Sequence, residues 1–311
     1  MTVTDEQAEE AFGAHRASMA SALLLELTLI RLAEQLEAAG VEFRVLKGTA
    51  VAHLDYPEPS LRAFGDIDLL VRSSQFDRAI DTLTRAGHQR KFPEPRPGFD
   101  RRFSKGSCVV TPEGHEIDVH RTFAMGPFGM TVDLGDLWAR SSTFQLAGRS
   151  LSALGPEERF LHACFHAALG EAVPRLTTLR DIAQMRTSGD LDLDRVSALS
   201  AAWKADAVTA RALSLTADVL QLEPDDLLRW ARERTPTRRE RRALAVYADP
   251  GQTYAAKSFA AVRAIPRWRD RAAFVLTLAF PRRRYLEQRQ EKALRRWRRG
   301  LAQVARSLRR R

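Results

Sequence analysis

A chain of 311 residues, 44% of them hydrophobic and 28% charged, can bury a sizeable core and is long enough for two domains. Its two cysteines, Cys108 and Cys164, exclude a disulfide framework and a paired-cysteine metal site, and they fit a reducing cytosol. The net charge of +10 is unevenly placed: from Arg282 to Arg311 thirteen basic residues face two glutamates, a surplus of +11, so everything before that stretch is close to neutral.

The amino terminus, Met1-Thr2-Val3-Thr4-Asp5-Glu6, is acidic and is not followed by the apolar run of a secretory leader. The longest apolar run, near Ala272 to Phe280, spans about nine residues, where a membrane-crossing helix takes roughly 20. These features predict a cytoplasmic protein with no transmembrane segment. Residues 1–40 read as one long helical pattern, with leucines from Ala22 to Leu36 and Gly40 as its stop.

Val41-Glu42-Phe43-Arg44-Val45-Leu46 is a short β-type run that ends in Lys47-Gly48-Thr49, after which Ala50 to Leu54 reads as helix. A glycine between a strand and a helix lets backbone N–H groups approach an anion, and the helix start adds its dipole, so a phosphate docks well there. The next strand, Phe64-Gly65-Asp66-Ile67-Asp68-Leu69-Leu70-Val71, sets Asp66 and Asp68 on one face and Ile67, Leu69 and Val71 on the other. Two carboxylates in an apolar strand repel each other and are costly to bury unless a cation or solvent meets them. Magnesium, hard and oxygen-seeking, suits such a pair. Gln75 to Ala86 is helical. Lys91 to Gly98, with Pro93, Pro95 and Pro97, is a loop expected to border the active-site cleft.

Phe103 to Phe123 reads as a hairpin turning at Pro112-Glu113-Gly114, with Glu116, Asp118 and His120 on one face of its second strand. A third carboxylate on a neighbouring strand is what a two-ion site needs. His120 is open to three readings: a base, a substrate contact, or a hydrogen-bonded strand histidine. From Pro156 onward the pattern is helical, with helices at Pro156 to His166, Leu176 to Met185, Leu193 to Lys204 and Thr209 to Leu220. His162 and His166 share a helical face, the spacing of a zinc pair, but no third ligand or glutamate accompanies them, so buried or interfacial histidines are expected. Asp181, amid apolar neighbours, is expected to pair with Arg175 or Arg180. Leu294, Trp297, Leu301, Val304 and Leu308 recur at helical spacing, which makes the tail an amphipathic helix with an arginine-rich face. Docking on the body through the apolar stripe is the favoured reading of that tail, with nucleic acid or an anionic membrane as the other.

Leu46-Lys47-Gly48, Tyr56, Arg62, Asp66-Ile67-Asp68-Leu69-Leu70-Val71 and Ile117-Asp118-Val119-His120 together resemble the polymerase-beta-like nucleotidyltransferase superfamily, and within it a bacterial branch of uncharacterised nucleotidyltransferases. Leu176 to Ile182 and Phe280 to Leu286 are similar to later stretches of that branch. The superfamily usually shows glycine followed by glycine or serine, with a shorter gap to the aspartate pair; here Thr49 takes the serine's place and the gap is longer. The resemblance implies an α+β fold: a small mixed β-sheet core flanked by helices over residues 1–154, the long helix 1–40 included, then an all-helical domain over 155–311. It implies that Asp66 and Asp68 bind two magnesium ions and that Asp118 completes the ion nearer the acceptor and helps deprotonate it. Gly48 and Thr49 would hold the β- and γ-phosphates of a nucleoside triphosphate, with Lys47 or Arg62 offsetting their charge. The expected reaction is transfer of a nucleoside monophosphate to an acceptor hydroxyl or phosphate on a small molecule, protein or RNA end. The alternative is a silent nucleotidyltransferase-fold scaffold that binds nucleic acid through Arg282–Arg311, a reading that three retained carboxylates disfavour.

Overall fold

Thr4 and Gln7 cap one another reciprocally, side chain to amide, and so start helix α1 (Asp5–Ala38). The computed structural model describes residues 4–170, 173, 175–188, 191–248 and 254–288. After α1 come β1 (Phe43–Val45), α2 (Thr49–Asp55), β2 (Ile67–Val71), α3 (Phe76–Arg85), β3 (Gln89–Arg90), α4 (Phe99–Phe103), β4 (Gly106–Val110) and β5 (Glu116–His120). A short helix α5 (Asp136–Ala139) leads to the hairpin β6 (Ser141–Leu146) and β7 (Arg149–Leu154). Helices α6 (Pro156–Leu169), α7 (Leu176–Thr187), α8 (Leu193–Ala202), α9 (Asp206–Leu220) and α10 (Asp226–Glu233) follow. The described chain closes with α11 (Arg238–Ala248), α12 (Tyr254–Val262), α13 (Trp268–Ala279) and α14 (Arg283–Gln288). Most of the expected amphipathic tail, residues 289–311, lies outside the described residues.

The strands form one seven-stranded mixed sheet in the order β3-β4-β5-β2-β1-β7-β6, with β2–β5 and β1–β7 parallel and the other pairs antiparallel. The fold is α+β, and its sheet is larger than expected because β6–β7 extends it. That hairpin turns at Ala147-Gly148, both at positive φ (48° and 79°), the backbone of a two-residue turn that usually takes Asn-Gly.

Alternation divides the sheet's two faces. Ile67, Leu69 and Val71 of β2 and Ile117 and Val119 of β5 pack with α1 and α3 through Leu29, Leu32, Phe76 and Leu83. The opposite face carries Leu70 and Leu154, together with Leu46 just past β1, and these meet Phe160, Phe165, Trp203 and Leu213 of the helical half. A strand buried on both faces reads as a nearly continuous apolar run. Asp68, two residues before Leu70 on β2, shares Leu70's face and therefore points toward α6 rather than toward α1.

The loop expected at the cleft is instead tied to the far end of the described chain: Arg282 N–H donates to Pro95 O (2.9 Å) and Arg96 Nε to Phe280 O (2.7 Å). Its neighbour α4 joins α12 and α13 in a small cluster of Phe99, Phe103, Ile265 and Phe274. Gly48 caps α2 at φ 60°, ψ −116°, a backbone conformation that side chains strongly resist. Gly48→Ala is expected to lower stability by roughly 1–3 kcal/mol, read as a shift in the urea midpoint.

Candidate active site

Asp68 and Asp118 are register partners on the parallel pair β2–β5. Side chains of paired residues project to the same face, so this pairing converges two carboxylates that are 50 positions apart in sequence. Ligand atoms of Asp68, Asp118 and His120 lie within 4.8 Å of one another, and among the described residues no other set of His, Cys, Asp and Glu side chains converges this way. His120 Nε2–H donates to Asp68 Oδ1 at 2.8 Å and lies 4.0 Å from Asp118 Oδ2. Asp66 stands just ahead of β2 and is joined to this group through Lys47, whose Nζ is 3.2 Å from Asp66 Oδ2 and 3.0 Å from Asp68 Oδ2.

Burial disfavours the Asp68 charge, but the His120 hydrogen bond and the Lys47 ammonium outweigh it and hold the carboxyl well below the usual range. Burial likewise opposes the Lys47 charge, and the two carboxylates reverse that effect and raise its pKa. Lys105, at the entry to β4, was not singled out by the sequence; burial pushes its pKa down, Lys47 adds to this, and Asp68, Asp118 and Asp66 pull the other way. Three carboxylates thus face two ammonium groups across a buried neutral histidine.

Magnesium, implied by the superfamily resemblance, can be tested against these donors. Asp66, Asp68 and Asp118 offer hard oxygens, and Asp68 Oδ2 is buried without a hydrogen bond, 3.0 Å from the Lys47 ammonium. The residues fit the ion.

A cavity of about 360 Å³ adjoins this cluster between the loop before β2 and the helices α6 and α7. Lys47, Arg62 and Asp66 line it, whereas Gly48, Thr49, Asp68, Asp118 and His120 do not. Thr49 is buried at the start of α2. Arg62 is held in a two-pronged pair by Asp181, with Nη2–Oδ2 at 2.7 Å and Nε–Oδ1 at 3.2 Å. Tyr56 Oη–H donates to Asp181 Oδ1 at 2.8 Å. The expected Asp181–Arg180 pair is corrected accordingly, since Arg180 donates to Tyr56 Oη and to Leu61 O instead. A second buried pair, Arg159 Nε–Asp55 Oδ2 at 2.7 Å with Nη2–Oδ1 at 2.8 Å, ties α6 to α2. Neither arginine's partner could be read from sequence, because each pair joins residues more than 100 positions apart.

His162 and His166 face the same cavity. His162 packs its ring on Phe123 (4.7 Å between centroids), and His166 Nδ1 bonds Thr178 Oγ1 at 3.2 Å. Burial pushes the His166 pKa down to about 3 and the His162 pKa well below its ordinary value. The unfolded chain takes up these protons near pH 6.5 and the native state does not, so stability falls as pH drops from about 6.5 toward the folded values. Each histidine is expected to cost roughly 2 kcal/mol between pH 7 and pH 5. Urea midpoints at pH 7, 6 and 5 check this, and His166→Gln flattens the slope by one histidine's share. The cysteines carry no nucleophile: burial raises Cys108 to about 12, aided by Asp118, and raises Cys164 further still.

The mixed sheet, covered by helices on both faces, thus sets the paired Asp68 and Asp118 beside a cavity lined by Lys47, Arg62 and Asp66. The sequence matches, over residues 2–221, a family described as "Uncharacterised nucleotidyltransferase", and the chain belongs to it. No curated protein matches the chain. Among solved structures it is similar to the lincosamide antibiotic adenylyltransferase LnuA, crystallised with lincomycin, at 17% identity and a TM-score of 0.36, covering 52% of this chain and 95% of that one. It is similar to the antibiotic-resistance factor ANT(2'')-Ia at 16% identity and a TM-score of 0.42, covering 63% and 100%. A nucleotidyltransferase-like protein from Paracoccidioides brasiliensis is similar at 16% identity and a TM-score of 0.38, covering 68% and 94%.

Proposed function

We propose that the protein transfers a nucleoside monophosphate from a nucleoside triphosphate to an acceptor hydroxyl or phosphate, with release of pyrophosphate and dependence on magnesium. The observation that carries this reading is the register match of Asp68 with Asp118, with Asp66 drawn in through Lys47. Asp66, Asp68 and Asp118 would hold two magnesium ions, which when bound neutralise charge on the triphosphate and on the attacking oxygen. In the transfer a bond forms from the acceptor oxygen to the α-phosphorus, and the bond from that phosphorus to the bridging oxygen breaks, its electron pair leaving with pyrophosphate. Asp118, partly exposed, takes the acceptor proton. Buried His120 fixes the Asp68 carboxylate through its 2.8 Å hydrogen bond, and Lys47 keeps Asp66 and Asp68 together. Nucleoside triphosphates are plentiful in the cytoplasm, and this reading places the reaction there.

The acceptor is a small molecule, a protein side chain or an RNA end, the last drawing on the arginines of 282–311. Purified full-length protein mixed with each α-labelled triphosphate, magnesium and a cell extract should label one of these fractions, and Asp66→Ala with Asp68→Ala should abolish the label. Absence of transfer from all four triphosphates would favour the scaffold alternative.

A further inference from the structure

Both carboxylate oxygens of Asp68 are engaged within the chain. His120 Nε2–H donates to Oδ1 at 2.8 Å, and the Lys47 ammonium stands 3.0 Å from Oδ2 while donating to Asp66 Oδ2 at 3.2 Å. Lys47 therefore lies between the two aspartates to which the magnesium reading assigns the ion. Magnesium bonds carboxylate oxygens at about 2.0–2.1 Å and carries twice the charge of an ammonium. Two cations sharing a buried oxygen repel each other with little water to screen them, so a partner of Asp68 has to leave before an ion can bind it.

The surroundings decide which partner leaves. His120 is 1% exposed and belongs to β5, so its ring is held by the sheet. The Lys47 side chain is 20% exposed and lines the adjoining cavity of about 360 Å³. Its backbone is fixed on both sides, because Leu46 N–H donates to Asp68 O at 2.9 Å and Ala52 N–H donates to Gly48 O at 3.0 Å. What can move is the flexible four-carbon stem, whose rotations carry the ammonium into the cavity without disturbing the sheet. A charge count points the same way. The carboxylates of Asp66, Asp68 and Asp118 against the ammonium groups of Lys47 and Lys105 leave the site one negative charge, which a single divalent ion would overturn unless an ammonium moves away.

We propose that Lys47 is a displaceable counter-ion: it neutralises Asp66 and Asp68 in the free protein, and the divalent cation binds that pair by driving the ammonium into the cavity. Lys47 is thus a positioning residue that sets the metal affinity of the site. The proposal rests on the magnesium-dependent reading for its part in the reaction, but it is measured without nucleotide or acceptor.

Manganese(II) serves as the probe, with the free ion counted by its paramagnetic resonance. Full-length wild type and Lys47→Met, which keeps an apolar stem and loses the charge, are titrated with it. Lys47→Met is expected to bind about tenfold more tightly or better, because the competing cation is gone. A merely structural lysine would give the opposite result. Wild-type protein is also acylated with acetic anhydride, with and without saturating manganese, and Lys47 is read by peptide mass spectrometry against the exposed Lys204. Manganese should raise Lys47 acylation severalfold and leave Lys204 unchanged. Where Lys47→Met does not fold, the wild-type labelling decides. Equal or weaker manganese binding by folded Lys47→Met, no binding by either protein, or Lys47 acylation that manganese does not raise overturns the proposal. Nucleotidyl transfer by a protein whose Lys47 acylation ignores manganese would sink this inference alone. Manganese-dependent release of Lys47 in a protein that transfers nothing would sustain it and sink the activity reading.

Discussion

Asp118→Asn is expected to slow nucleotidyl transfer by roughly 10²–10⁴-fold, the range for removing a positioned proton acceptor. The substitution keeps the size and hydrogen-bonding ability of the side chain, which is 37% exposed, so the fold should survive it. Asp66, Asp68 and Lys47 remain in place, and the KM for the triphosphate should therefore move little while kcat collapses. Steady-state kinetics with saturating acceptor, beside a thermal melt, separate these effects. Asp68→Asn is a poorer test. Its carboxylate is fully buried between His120 and Lys47, so losing the charge removes both partners' reason to be there and mixes stability with catalysis.

Asp181→Ala is expected to lower stability by about 3–5 kcal/mol, because it leaves the Arg62 guanidinium buried without a counter-charge. Arg62 and Asp181 are 7% and 4% exposed, so only the cavity they line can offer the guanidinium a substitute for the lost carboxylate. Burial alone would depress the Arg62 pKa, and the Asp181 hydrogen bonds and charge are what raise it. Chemical denaturation measures the loss. Arg62→Met combined with Asp181→Leu should recover much of it, since an apolar pair of similar bulk leaves no orphaned charge. Tyr56 then lacks its acceptor, so recovery should be incomplete. The pair also pins the segment four residues before Asp66 to α7, and transfer activity should fall with Asp181→Ala even where the protein remains folded.

Much of this architecture was written in local pattern. Gly40 ends α1, Pro156 opens α6, and the turn at Pro112-Glu113-Gly114 joins β4 to β5, because capping, ring constraint and turn geometry act over a few residues. The hairpin β6–β7 was not marked, since its turn uses Ala147 at positive φ where Asn or Gly would have signalled it. The proline-rich loop was expected at the cleft on composition alone, and its contacts with Phe280 and Arg282 depend on residues nearly 190 positions away.

The sequence by itself determined the class of fold and the candidate site residues, because strand periodicity of two assigns Asp68, Asp118 and His120 to faces before any tertiary contact exists. Tertiary structure decided which of these groups meet. Parallel pairing of β2 with β5 set Asp68 opposite Asp118, burial turned His120 into the anchor of Asp68, and Lys47 was drawn onto the carboxylates. It also gave Arg62 to Asp181 and brought the start of α7 to the cavity. Such choices rest on register and desolvation across distant segments, and no local pattern encodes the distance between two charges that only folding brings together.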